Sequence, residues 1–458
     1  MAKTMYLPGF DHRLCGRRSP PPAAQMRERA ERLDGLAALT GRFIPRRIFR
    51  GAPRERVFTP WVTFVAFLGQ TLTRGGSCRE AVRRVQAWRA TARRSVPDES
   101  TSAYCQARAR LPLDLLRAAH EALGRWIAQR TSAAWLWQGR SVKVLDGTGL
   151  MMPDSERNRA KWPYAGGQKP GCGFPSARLV GLFCLASGRL VRFAFASWKT
   201  HEIRLARQLV GWIEPGEVVL SDRGFCGFGF IALLRRKGVD VVMRLHQARA
   251  AKGVRVKWLR RKWTDSWPQS LWRELPREMT MRLVHFRVEV PGFRTRKVVL
   301  ATTLLDATRY PDEAIIALYR RRWAVELCFR DIKTTLNLDT LRCASPELVE
   351  KEIWLHAIAY NLVRALMIEA AWTYGAPLDR LSFKGTVDAL RQWAPLFSGQ
   401  QSYFRSARRA LLLIIATDKV LARPNRSEPR VRKRRPKNYQ LLTRPRRVMH
   451  VSRSRTRK

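Results

Sequence analysis

The chain has 458 residues, 45% of them hydrophobic, and its 87 Lys and Arg against 36 Asp and Glu leave a formal net charge of +51. The length predicts roughly two to four globular units, each burying its own core. The longest purely aliphatic run, Ala410–Ala416, falls far short of the ~20 residues that cross a bilayer, which excludes a membrane helix. The N-terminus shows no apolar run followed by a small-residue cleavage site, so a cytoplasmic protein is expected. The eight cysteines never form a CxxC pair and read as reduced thiols, neither a zinc site nor a disulfide framework. Basic charge spread along the whole chain predicts a polyanionic partner, because Lys and Arg that neutralise phosphates release condensed counterions. Nucleic acid is the expected partner.

Residues 1–55, with Pro20, Pro21 and Pro22 and scattered arginines, read as a partly ordered leader. From 56 to 135 the pattern is helical. Phe58, Trp61, Phe64, Phe67 and Leu68 follow helical spacing, and residues 77–94 set Val82, Val85 and Trp88 on one side among arginines. After a break at Pro97, residues 101–130 open on Ser/Thr caps and are interrupted near Pro112. This stretch is expected to be an all-helical, Arg-rich DNA-binding module.

The texture changes near 141. SVKVLDGTGL is a short β-branched strand expected to end at Asp146, and residues 178–197 read as two strands around a Ser-Gly turn. Helix 201–212, strand 217–221, helix 225–236 and strand 239–245 follow. Residues 136–246 therefore form the first part of an α/β core. Residues 247–300, with Trp258, Trp263, Trp267 and Trp272, read as a β-rich insertion ahead of the strand VVLATTL at 298–304. Pro311, Asp312 and Glu313 open a long helix through about 336, within a second part of the core at 301–375. A helical region follows at 376–422. The tail 423–458 carries 15 Lys and Arg against Glu428 alone and reads as a basic arm.

Asp146 and Asp222 are each expected at the end of a strand, where α/β sheets place their sites. Each alone could be an ordinary turn residue. Glu326 changes the weighting. Tyr319, Arg322, Glu326, Arg330 and Lys333, at ~100° per residue, fall within an arc of roughly 80° on one helix face. A single acid among cations and a phenol suits phosphodiester chemistry, the acid holding metal and the bases and phenol holding the DNA backbone. Trp323, Leu327 and Ile315 line an adjacent stripe expected to pack.

The spacing Tyr-x2-Arg-x3-Glu-x6-Lys resembles the YREK signature of DDE transposases of IS-four-type insertion sequences, with Asp146 and Asp222 matching their first two acids. LDGT followed by MPDSERN, residues 220–249 and KRRPKNYQLLTRPR are similar to that family too. The resemblance covers about residues 100–447. It implies an α/β, or α+β, fold: a ribonuclease-H-like mixed sheet with a β-rich insertion, preceded by the helical DNA-binding module. It implies a transposase of a bacterial mobile element that cleaves transposon ends and joins them to target DNA, acting as a homodimer in a synaptic complex in the nucleoid-associated cytoplasm.

The implied cofactor is Mg²⁺, with Mn²⁺ an alternative. Asp146 and Asp222 would share one ion, and Asp146 and Glu326 the other. Tyr319, Arg322 and Lys333, joined by Arg330, would grip phosphates. A tryptophan of the insertion would stack on a flipped base when the cut end closes into a hairpin. His201 and Glu202 read first as helix-start polar residues, and only second as groups standing behind the metal ligands. The glycines at 166, 167, 171 and 173 make a loop without phosphate-loop spacing. The competing readings are a catalytically silent DNA-binding derivative and a nuclease of the same fold.

Overall fold

A computed structural model describes residues 35–49, 56–91, 94–166, 169, 171–246, 253–288, 296–397, 401–421 and 442–445. Residues 1–34 and 50–55 of the expected leader, and most of the expected basic arm, lie outside the described residues, whereas Leu39, Phe43, Ile44 and Phe49 of the leader are buried in the core.

Eight strands form one sheet in the order β3-β2-β1-β4-β5-β8-β7-β6. β1 is Val142–Met151, β2 Ser176–Cys184, β3 Leu190–Ser197, β4 Val218–Ser221 and β5 Asp240–Arg244. β2 runs antiparallel to β1 and to β3, whereas β4 is parallel to both β1 and β5. These five strands are the ribonuclease-H-like mixed sheet. Their sequences explain the arrangement. The β1–β2–β3 meander turns at Gly188, whose φ of 69° suits a residue without a side chain. VVLS of β4 is buried at all four positions, as a central parallel strand covered on both faces must be.

Residues 247–300 extend the sheet instead of standing apart from it. β6 (Arg255–Leu259), a short helix (Gln269–Glu274), β7 (Glu278–Val288) and β8 (Arg296–Thr302) follow one another, and β8 pairs antiparallel with β5. Trp267 and Trp272 sit with ring centroids 5.6 Å apart, against the helix Phe228–Arg236. A methyl at Gly229 would meet both rings within 3 Å, so glycine there lets the helix approach the insertion.

Each face of the sheet has its own apolar layer. On one face, Leu145, Val180 and Val219 pack with Ile203 and Leu205 of the helix Glu202–Leu209 and with Phe230. On the other, Val142, Val144 and Phe183 pack against the helix Pro346–Tyr374, which is apolar around most of its circumference and buried accordingly. That helix is capped by the Ser345 hydroxyl and stopped by Gly375 at φ 63°. The helices Pro60–Leu72 and Leu113–Gln129 complete its cover and belong to the same core. Residues 56–135 and this face of the sheet thus share one core. A 29-residue helix apolar around most of its circumference needs neighbours on most sides, and residues 56–135 supply some of them.

Candidate active site

Asp146 sits inside β1, which continues five residues further to Met151, so the expected strand end at Asp146 is corrected. What ends there is the pairing with β4. Leu145 opposite Ser221 is the last parallel pair, and beyond it β1 is bonded only to β2. The sheet edge opens at Asp146, and Asp222 is the first residue past β4. Each aspartate is oriented by a backbone N–H that follows it in the chain. Asp146 Oδ1 accepts the Gly147 N–H at 2.8 Å, and Asp222 Oδ1 accepts the Gly224 N–H at 2.9 Å.

The acid-bearing segment is helical from Asp312 to Thr335, but its winding changes along the way. An α-helix (Asp312–Arg320) passes through a 3₁₀ turn (Arg321–Trp323) into a second α-helix (Ala324–Arg330) and then a π turn (Asp331–Thr335). The single 80° face expected from uniform winding is therefore divided. Tyr319 and Arg322 turn inward and are buried, while Glu326 remains exposed. Arg322 Nη1 lies 3.6 Å from Asp146 Oδ2, and its Nη2 donates to Glu326 Oε1 at 3.1 Å. The π turn presents Lys333 to β1, where Nζ donates to Thr148 Oγ1 at 3.2 Å and to the Gly149 carbonyl at 3.3 Å. Arg330 does not join this group. Its side chain is 65% exposed and its ion pair is with Asp331, at 3.9 Å.

Burial raises the Asp146 carboxyl to about 6, and the neighbouring Asp222 and Glu326 charges push the same way against the Gly147 N–H and Arg322. Tyr319, raised to about 12 chiefly by burial, stays a neutral phenol able to donate. The Arg322 guanidinium lies over both the Tyr319 and Trp323 rings, 5.9 and 5.2 Å from their centroids.

Among the described residues no three His, Cys, Asp or Glu side chains close into a ready-made metal cluster. Arg322 stands between two of the acids instead. The donor set nevertheless fits a hard divalent cation: Asp222 and Glu326 both lie within electrostatic reach of Asp146, at an open sheet edge, beside one buried guanidinium.

Of the three residues of the expected packing stripe, one packs. Ile315 is fully buried, but Trp323 and Leu327 are 57% and 51% exposed beside Glu326. Sequence reasoning missed this because the 3₁₀ turn shifts the phase of everything after Arg321. In the insertion, Trp267 is core and Trp263 is 46% exposed, its Nε1 donating to the Trp267 carbonyl at 2.8 Å. His201 caps its helix, its Nδ1 accepting the Ile203 N–H at 3.3 Å. In the glycine loop, Gly166 packs on the Trp198 ring, while Gly167 lies outside the described residues. The seven cysteines among the described residues are free thiols.

A ribonuclease-H-like sheet with carboxylates gathered where β1 and β4 part defines a class, that of enzymes acting on nucleic-acid phosphodiesters. Residues 137–362 match the family model for the transposase DDE domain. The chain is 29% identical over 367 residues to the transposase InsG of insertion sequence element IS4 from Escherichia coli strain K12, covering 75% of this chain and 78% of that protein. A shorter stretch of 71 residues is 39% identical to the transposase of insertion sequence element IS421 from Escherichia coli, covering 16% of this chain and 18% of the relative. A solved piggyBac transposase synaptic complex with hairpin DNA aligns over 90% of this chain and 88% of its own at 11% identity, with a TM-score of 0.39 that carries no weight. The chain belongs to the DDE transposases of the IS4 insertion-sequence type.

Proposed function

We propose that Asp146, Asp222 and Glu326 are the acids through which this transposase holds its divalent metal, and that the metal is Mg²⁺. The observation that carries the reading is Arg322. Its guanidinium ties Glu326 to Asp146, 180 residues earlier in the chain (326 minus 146), so that the helix acid reaches the sheet acids. Bound there, a divalent cation supplies Lewis-acid chemistry and an activated hydroxyl nucleophile.

The surrounding side chains serve the substrate. Tyr319, held as a neutral phenol, and Lys333, docked on Thr148, donate to phosphate oxygens beside the cut bond. Arg322 releases one acid to metal and turns toward phosphate. Arg330, exposed on the same segment, binds the backbone further out. No described helix is long and apolar enough to cross a membrane. The substrate is double-stranded DNA: the inverted repeats at the element's ends, and then the target. Two copies of the chain hold the paired ends, in association with the nucleoid. The helical stretch 56–135 contributes to DNA binding.

Incubating the protein with end-bearing DNA, target DNA and Mg²⁺ tests the reading, with products resolved as nicked, hairpinned and joined. Hairpinned and joined products are expected. Nicks without joining would make the protein a nuclease, and persistent absence of any cut would remove the proposed role of the acids.

A further inference from the structure

We propose that Glu202 is a fourth carboxylate of the metal site, approaching β1 at Gly147 from the face opposite Asp146. This rests on the site reading given above and adds a residue to it. Along β1 the side chains alternate faces. Asp146 and Thr148 project toward the 312–335 segment, where they meet Arg322 and Lys333. Gly147 projects the other way, toward the helix Glu202–Leu209. The Glu202 carboxylate lies directly on that glycine. A β-carbon at 147 would stand 2.9 Å from Oε1 and 3.0 Å from Cδ.

Gly147 is therefore flanked by two acids, its N–H bonded to Asp146 Oδ1 and its open face filled by Glu202. Its backbone is not in the left-handed region, so the absence of a side chain, and not conformational freedom, is what the position uses.

Two further observations point the carboxylate toward a cation. Among the described residues Glu202 makes no ion pair or hydrogen bond, in a chain whose bases outnumber its acids by 87 to 36. A half-buried carboxylate with no basic partner, in a protein so rich in bases, leaves its charge open to a cation. In addition, β1 loses its β4 partner beyond Leu145, so on that side Asp146 and Gly147 have no neighbouring strand. Asp146 stands on one face of this edge, Asp222 follows the end of β4, and Glu202 lies against Gly147 on the other face.

The test is a titration of the full-length protein with Mn²⁺, read by electron paramagnetic resonance, which requires no catalysis. Parent, D222N, E202Q and G147A are compared, with circular dichroism as the check on folding. E202Q is expected to weaken Mn²⁺ binding by about 10-fold or more, while metal-free binding to end DNA is unchanged. If D222N is weakened and E202Q matches the parent, the role of Glu202 is overturned and the three-acid site stands. If both match the parent, the three-acid site itself is overturned. Should E202Q lose its fold, G147A carries the test, since it keeps Glu202 but sets a methyl against its carboxylate. Weakened Mn²⁺ binding in G147A supports the proposal, and binding equal to the parent overturns it.

Discussion

Arg322 Nη1 lies 3.6 Å from the Asp146 carboxylate, in a side chain whose other terminal nitrogen holds Glu326 at 3.1 Å. One planar group thus spans two acids carried by different elements. Lysine, a single point charge on a flexible stem, cannot span both. R322K is expected to lower end cleavage by about 100-fold while end-DNA affinity in gel shifts changes little. Cleavage within twofold of the parent would mean that the bridge is incidental.

Lys333 reaches β1 because the π turn displaces it from the phase of an ordinary helix. If it carries a phosphate contact, K333A reduces the slope of log affinity against log salt by about 1. T148V, which removes only the hydroxyl that docks Lys333, leaves that slope unchanged. Fluorescence anisotropy on end DNA between low and moderate salt measures both.

Trp323 and Leu327 are both more than half exposed on the same segment, an apolar pair beside Glu326 available to a bound DNA end. W323A is expected to shift stability by no more than about 0.5 kcal/mol and to reduce processing of bound ends. A large drop in melting temperature would instead show that the ring supports the fold.

His120 tests the buried layer between the helices and the sheet. It is fully enclosed, its Nε2 lies 3.1 Å from Asn361 Nδ2, and Asn361 also bonds both the N–H and the carbonyl of Leu190. Burial, assisted by Arg192 and Arg189, lowers its pKa from 6.5 to about 3. Above the unfolded value both states are neutral and the residue adds no pH dependence. As pH falls below it, the unfolded chain takes up a proton that the folded chain refuses, so stability declines until the folded value is reached. Between pH 6 and 4 this residue alone contributes a loss of about 1.4 kcal/mol per pH unit. Denaturant melts of the parent against H120Q measure it, and equal slopes in the two proteins would contradict the assignment.

Much of this was legible in the sequence, for identifiable reasons. VVLS and DVVMR announced strands of the α/β core because they are short and rich in valine. The spacing of Tyr319, Arg322 and Glu326 marked the acid-bearing helix. Three things were not legible. The length of β1 was hidden because Gly-Thr-Gly after Asp146 reads as a turn, yet these residues stay paired with β2 through Arg178. The division of the basic face was hidden because 3₁₀ and π turns leave no periodic trace in side-chain type. Glu202 read as an ordinary helix-start residue, since its closeness to Gly147 arises only when helix and strand are packed together.

The most direct test of the three-acid site is a single-turnover cleavage assay on end-bearing DNA with Mg²⁺, comparing the parent with D146N, D222N and E326Q at protein concentrations that saturate the DNA. The account predicts that all three variants bind the ends as the parent does and leave them uncut. Parental cleavage by any one of the three would contradict it.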